Sequence, residues 1–210
     1  MSADTLIDAL AADLRPVNRL RAPAVRALGW LAVVMLLAAG LMTVANMHAV
    51  MDRMAEAPDL RWAAVGSTLT AIVAGIAAFE LSVPGRSAWW VLTPAPSALL
   101  WLSASGWGCL RSWDWPGLVP ATMNDAMGCV GFITLVSVPL SILLFWMLRR
   151  ACPLWPGRVA AMAGLAAAAA AASLLTLFHP HDASAVDLIM HVVAVGAVVA
   201  VSRAAARWVG

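Results

Sequence analysis

The sequence predicts an all-α fold: a polytopic membrane protein in which a six-transmembrane-helix bundle follows a short amphipathic N-terminal cytoplasmic helix. Three observations carry this prediction. Hydrophobic residues make up 63% of the chain and charged residues 11%, where a soluble domain carries roughly 25% charged residues. The mean hydropathy is +0.87. Long apolar runs recur through the chain, and most charged residues lie in the first 23 positions and in short connections. The chain therefore divides into an arm, residues 1–23, and a membrane domain, residues 24–210.

The arm comes first and is the main polar segment. Thr5 followed by Asp8 forms a capping-box-like start, and Pro16 removes a donor and restricts Arg15, so a helix over residues 6–14 is predicted. At 100° per residue, Ala3, Leu6, Ile7, Leu10 and Leu14 share one face about 100° wide, with Asp4 and Asp8 opposite. Helices that lie on anionic membranes are rich in Lys and Arg. This one has Asp4, Asp8 and Asp13 before its first arginine, so its apolar stripe fits a basic protein partner better than lipid.

Six segments then match the roughly 20 residues needed to cross a bilayer. They are residues 27–47, 62–83, 88–110, 126–148, 159–178 and 183–202. The first is longer than the roughly 7–15 residues of a signal-peptide core, and the arm before it begins acidic, so it is read as a retained span. The connections at 47–61 and 111–125 are read as caps over the bundle, with no room for another domain. In the fifth segment the alanine run 166–172, with Gly164 and Ala168 at small-xxx-small spacing, is read as a packing seam.

Orientation follows from arginine, since the chain has no lysine. With the N-terminus inside, Arg15, Arg19, Arg21, Arg26, Arg86, Arg149, Arg150, Arg158, Arg203 and Arg207 are cytoplasmic, and only Arg53, Arg61 and Arg111 are outside. Six spans return the C-terminus to the cytoplasm. Trp89, Trp90, Trp146, Trp155 and Trp208 then fall near the inner boundary and Trp62, Trp107, Trp113 and Trp115 near the outer one, where indole rings anchor helix ends.

Charges near the bilayer midplane are costly and mark translocation paths. Glu80 lies instead near the inner end of its span, where it can snorkel or pair close to Arg86, and Asp125 and Asp187 lie at outer ends. No H-E-x-x-H, G-x-S-x-G, phosphate-binding glycine loop or intramembrane aspartate pair occurs, so no enzyme is expected. A small metal or solute transporter or channel subunit, or a scaffold without sensing, are the competing classes.

The outer side collects His48, His179, His181 and His191 with Cys109 and Cys129. Imidazole and thiolate ligate zinc and copper, and His179, His181 and Asp182 fall in one tight turn. Cys109, Cys129, His179, His181, Asp182 and His191 are thus the candidates for metal or redox sensing. Against this stand the ordinary roles of cysteine as a small core hydrophobe and of a loop histidine as a solvated side chain. In an oxidising compartment Cys109 and Cys129 could also pair, whereas Cys152, beside Arg149 and Arg150, lies on the other side.

Leu10, Asp13-Leu14, Pro16-Val17, Arg19-Leu20 and Pro23, followed by a span containing Trp30, resemble the NrsF family of bacterial membrane proteins, negative regulators of sigma-F. The junction Leu148-Arg149-Arg150-Ala151-Cys152-Pro153, Pro156 with its Gly/Ala-rich span, and the last span with His191 are similar too. The resemblance covers essentially the whole chain. It implies six membrane helices, a short cytoplasmic N-terminal segment, and a membrane-bound anti-sigma factor for a sigma factor of the extracytoplasmic-function type; with the arginine bias, the expected place is a bacterial inner membrane with both termini cytoplasmic. By that resemblance Leu10, Asp13, Leu14, Pro16, Val17, Arg19 and Leu20 belong to the sigma-holding segment, joined by Leu6 and Ile7 from the helical stripe. Partners are then the sigma factor and membrane lipid, without direct nucleic-acid contact. No cofactor is expected, a transient metal ion entering only as a signal.

Overall fold

The computed structural model describes residues 3–12, 20–114, 123–151, 153–178 and 185–206, and helices are the only regular structure among them. The arm helix α1 is Ala3–Ala12, beginning at Ala3 rather than Leu6. Six long helices follow: α2 (Pro23–Met42), α4 (Pro58–Leu81), α5 (Ala95–Asp114), α6 (Met123–Leu148), α7 (Pro156–Leu175) and α8 (Ala185–Ala205). Helices α2, α4 and α7 each start on a proline, whose missing N–H costs nothing in the first turn. The predicted cap at 47–61 is itself largely helical. It holds α3 (Met47–Glu56), begun by the Asn46 side chain accepting from the Ala49 N–H at 3.2 Å.

The expectation of six spans is corrected to five. Among the described residues, Pro23–Met42, Pro58–Leu81, Met127–Leu148, Pro156–Leu175 and Leu188–Ala205 are long and apolar enough to cross a membrane. The segment at 88–110 is not one continuous apolar helix. It opens as a 3-10 turn at Ala88–Val91, passes Pro94, and becomes α5 only at Ala95, with Pro96 in the first turn of that helix. Ser97 of α5 meets Thr70, midway along α4, at 3.1 Å. The 3-10 turn and its flanks therefore cover half of α4 before α5 starts. From there α5 carries Ser97, Ser103, Ser105, Gly106 and Gly108 and ends on Arg111 and Asp114, which dilutes its apolarity.

Contacts fix the order of helices. Arg26 and Trp30 of α2 face Ser82 and Gly75 of α4, so these two run antiparallel. Ser67 faces Ser173, with Gly75 near Ala166, and makes α4 and α7 antiparallel. Gly157 and Gly164 lie against Arg203 and Ser202, doing the same for α7 and α8. The start of α2, the ends of α4, α6 and α8 and the start of α7 thus share one end of the bundle.

Helix α7 is the centre, with 78% of its apolar window buried. Ala163, Ala166, Ala167, Ala168 and Ala169 are fully buried. A Cβ on Gly164 would stand 2.7 Å from Ser202 Oγ and 3.1 Å from Val199 Cα, so the predicted seam is where α8 approaches closely. Around α7 the core closes with Trp30, Phe79 and Leu144, all without exposed surface. Helix–helix association in lipid relies on such packing and on interhelical hydrogen bonds. Ser173 Oγ donates to Ser67 Oγ at 2.9 Å, joining α7 to α4.

Candidate functional site

The arm and the bundle end that carries it form the candidate site. Helix α1 buries none of its residues. Leu6, Ile7 and Leu10, at 46%, 61% and 63% exposure, present their side chains to the outside on the face set by helical spacing. Asp4 in the first turn complements the helix dipole. An exposed apolar stripe on a helix that buries none of its residues is a surface left to be covered. Of the other predicted arm residues, Leu20 is exposed. Asp13, Leu14, Pro16, Val17 and Arg19 lie outside the described residues.

The chain re-enters the bundle at Pro23, and three residues later Arg26 is buried, at 8% exposure. Its guanidinium donates to the backbone carbonyl of Met147, lies 3.5 Å from Ser82 Oγ, and stands 5.0 Å over the Phe79 ring. It forms no ion pair among the described residues. One arginine thus ties the root of the arm to α4 and α6. In the sequence Arg26 stands among the flanking cytoplasmic charges, because the apolar run begins at residue 27. Pro23, favoured at a first helical position, was the signal that put Arg26 inside the helix.

Around this root the arginines gather. Arg86, Arg149, Arg150, Arg158 and Arg203 are all exposed at the same end of the bundle. Glu80, at 13% side-chain exposure, pairs with Arg86 at 3.1 Å, which bears out the expected pairing at the end of its helix. Arg158 stacks on Trp155 at 3.7 Å and Arg149 on Trp146 at 5.6 Å. The arginines of this end far outnumber its acids, leaving a basic surface beside an acidic arm.

Of the proposed sensing residues, Cys109, Cys129 and His191 are described, and they lie toward the opposite end. Cys129 is buried against Ile133, Ala171, Leu175 and Ala194, and Cys109 is half-buried on α5. Neither forms a disulfide among the described residues. His191, on α8, borders a cleft shared with α4, α5 and α7. His179, His181 and Asp182 lie outside the described residues, as does Cys152. Among the described residues no three metal-ligating side chains come together.

Fold and site define a class: a helical bundle with several helices of membrane-spanning length and apolarity, one basic end, and a short exposed amphipathic helix attached there. The family model for the negative regulator of sigma F, NrsF, matches residues 10–209, nearly the whole chain, and the protein belongs to that family. It is therefore a member of a family of negative regulators of a sigma factor, which is not a known enzyme family. The match takes in Leu10 and the segment 13–20, and leaves Leu6 and Ile7 just before it. No curated protein and no solved structure matches the chain.

Proposed function

We propose that the protein is a membrane-bound anti-sigma factor that captures a sigma factor of the extracytoplasmic-function type with its N-terminal arm and holds it at the inner membrane. The observation that carries this reading is the exposed stripe of Leu6, Ile7 and Leu10 on α1, in a member of a sigma-regulator family. In this reading Asp13, Leu14, Pro16, Val17, Arg19 and Leu20 complete the binding segment, and capture covers surface that the sigma factor needs for RNA polymerase.

Magnitudes set how the capture works. Each large aliphatic side chain contributes about 1.5–3 kcal/mol on full burial, while ordering each residue of a free arm costs at least about 1 kcal/mol. The arm by itself binds weakly to moderately. Anchoring it in a membrane raises the effective concentration of the second contact, for which the exposed Arg149 and Arg150 on the same end are placed. Both termini face the cytoplasm in this account. Support comes from the shared end of the bundle, which holds the start of α2, the end of α8 and most of the described arginines.

Release needs a signal that favours one arrangement of the bundle over another. We assign it to the far end, where Cys109, Cys129, His179, His181, Asp182 and His191 are the candidates for metal or redox sensing. Substituting Cys129, His179, His181 and His191 together should then abolish release under metal or oxidant stress, whereas a scaffold that does not sense would show the same sigma occupancy with or without them.

The decisive experiment removes the arm. Full-length protein is expected to co-purify the sigma factor from membranes, and the chain shortened to residues 24–210 is expected to lose it. Unchanged co-purification after the deletion overturns the proposal.

A further inference from the structure

A cleft opens at the end of the bundle away from the arm, where α5 and α8 pass over α4 and α7. Its volume is about 350 Å³. Along α7 it runs from Thr176 down to Leu165, a depth of about 16 Å at the helical rise of 1.5 Å per residue. Its walls are Leu60, Trp101, Leu102, Leu165, Val192 and Val195, with Ala98 and Gly196 leaving the floor open. Leu102 and Val192 are half exposed, so the cleft also opens sideways between α5 and α8.

Among the described residues, the charged and titratable groups of the lining, Arg53, Asp59 and His191, belong to the mouth, on α3, the first turn of α4 and the first turns of α8. They are not equivalent. Asp59 and His191 each already have an interaction of their own. Arg53 spends only its Nε–H, on the Ala49 carbonyl at 3.0 Å, and forms no ion pair among the described residues. Its two terminal nitrogens are left at the rim of an apolar trough. A guanidinium binds a carboxylate through two parallel hydrogen bonds, a geometry that a neutral or cationic head cannot use.

Clefts of roughly 300–1,000 Å³, mostly apolar with a few convergent polar groups and set between bundle helices, are ordinary ligand sites. At the small end of that range this one has room for one hydrocarbon chain and not for two. We propose that the cleft binds a single medium-chain fatty acid, its carboxylate held at the mouth by Arg53 and its chain lying between α5 and α8 against Trp101 and Leu165. The site stands independently of the sigma-factor reading, and removal of the arm should leave it intact.

The test uses the full-length protein in nanodiscs of zwitterionic phosphatidylcholine, titrated with a terminally brominated undecanoic acid that quenches nearby indoles. Because the chain has 11 tryptophans, Trp101→Phe isolates the one in the cleft. The expected result is a saturable quenching component that Trp101→Phe removes and unlabelled undecanoate displaces. Arg53→Gln should raise the half-saturating concentration at least about 10-fold. Gly196→Phe should abolish the saturable component, since a side chain at that position meets nothing within 4 Å and grows into the cleft. Thermal unfolding distinguishes plugging from misfolding, and Arg53→Gln, on the rim, keeps the test open if the glycine variant fails to fold. Quenching that rises linearly with fatty acid and is the same in every variant is bilayer partitioning and overturns the proposal. Equal affinity for undecanol overturns the assignment of the carboxylate to Arg53.

Discussion

Arg26 shows what a single side chain does here. A buried guanidinium with neutral partners is stable only because Met147 O, Ser82 and the Phe79 face take over from water. Hydrogen bonds to a charged group contribute about 1.5–3 kcal/mol each, so Arg26→Ala should cost about 2–4 kcal/mol, read as a fall in the thermal midpoint in detergent. Arg26→Lys should rescue only part of it, because a single ammonium cannot reproduce the planar fork that reaches both Ser82 and Met147. On the arm the reverse holds. Leu10 makes no contact that folding needs, so Leu10→Asp should leave stability within about 0.5 kcal/mol of the parent. The same change should weaken sigma capture about 10- to 100-fold, measured as sigma factor retained on the immobilised protein. The stripe of Leu6, Ile7 and Leu10 was legible because helical spacing alone sets it. The role of Arg26 was not, since burial comes from two helices that arrive far later in the chain.

At the scale of helices, glycine and alanine decide how close neighbours come. A Cβ on Gly66 would lie 2.6 Å from the Trp101 backbone N, so α4 and α5 touch there through their main chains. Gly66→Ala and Gly164→Ala should each cost about 1–3 kcal/mol, because the Trp101 main chain and the short Ser202 side chain beside Val199 Cα cannot yield as the far end of a long side chain does. Gly106→Ala and Gly131→Ala, where added atoms meet open space, should be neutral or slightly stabilising in the same unfolding assay. Hydropathy made most of these elements legible. It misled at 88–110, where tryptophans and leucines mask the break at Pro94, just before α5 starts. It also left α3 unread, because hydropathy searched at spanning length passes over a helix of 10 residues, although Met47, Val50, Met51 and Met54 repeat at helical spacing. The convergence around the cleft was invisible, since Arg53, Trp101 and His191 come from three separate helices.

For the whole molecule, the consequence of the helix order is that the arm, the end of α8 and the arginine-rich surface belong to one side. Fluorescent-protein fusions at the two termini should both light up in the cytoplasm, and alkaline phosphatase fusions at the same points should be inactive. A fusion between α7 and α8 should show the opposite pattern. This polarity separates the two jobs of the account, capture at the arm and sensing at the far end, and places the length of the bundle between them. The central claim is that the exposed stripe of α1 is what holds the sigma factor. Its most direct test is the share of sigma factor in the membrane fraction of cells carrying Leu6→Asp, Ile7→Asp and Leu10→Asp together, with the bundle intact and equally abundant. The account predicts that the sigma factor moves to the soluble fraction and its target promoters fire without a signal. A sigma factor that stays in the membrane fraction, with silent promoters, contradicts it.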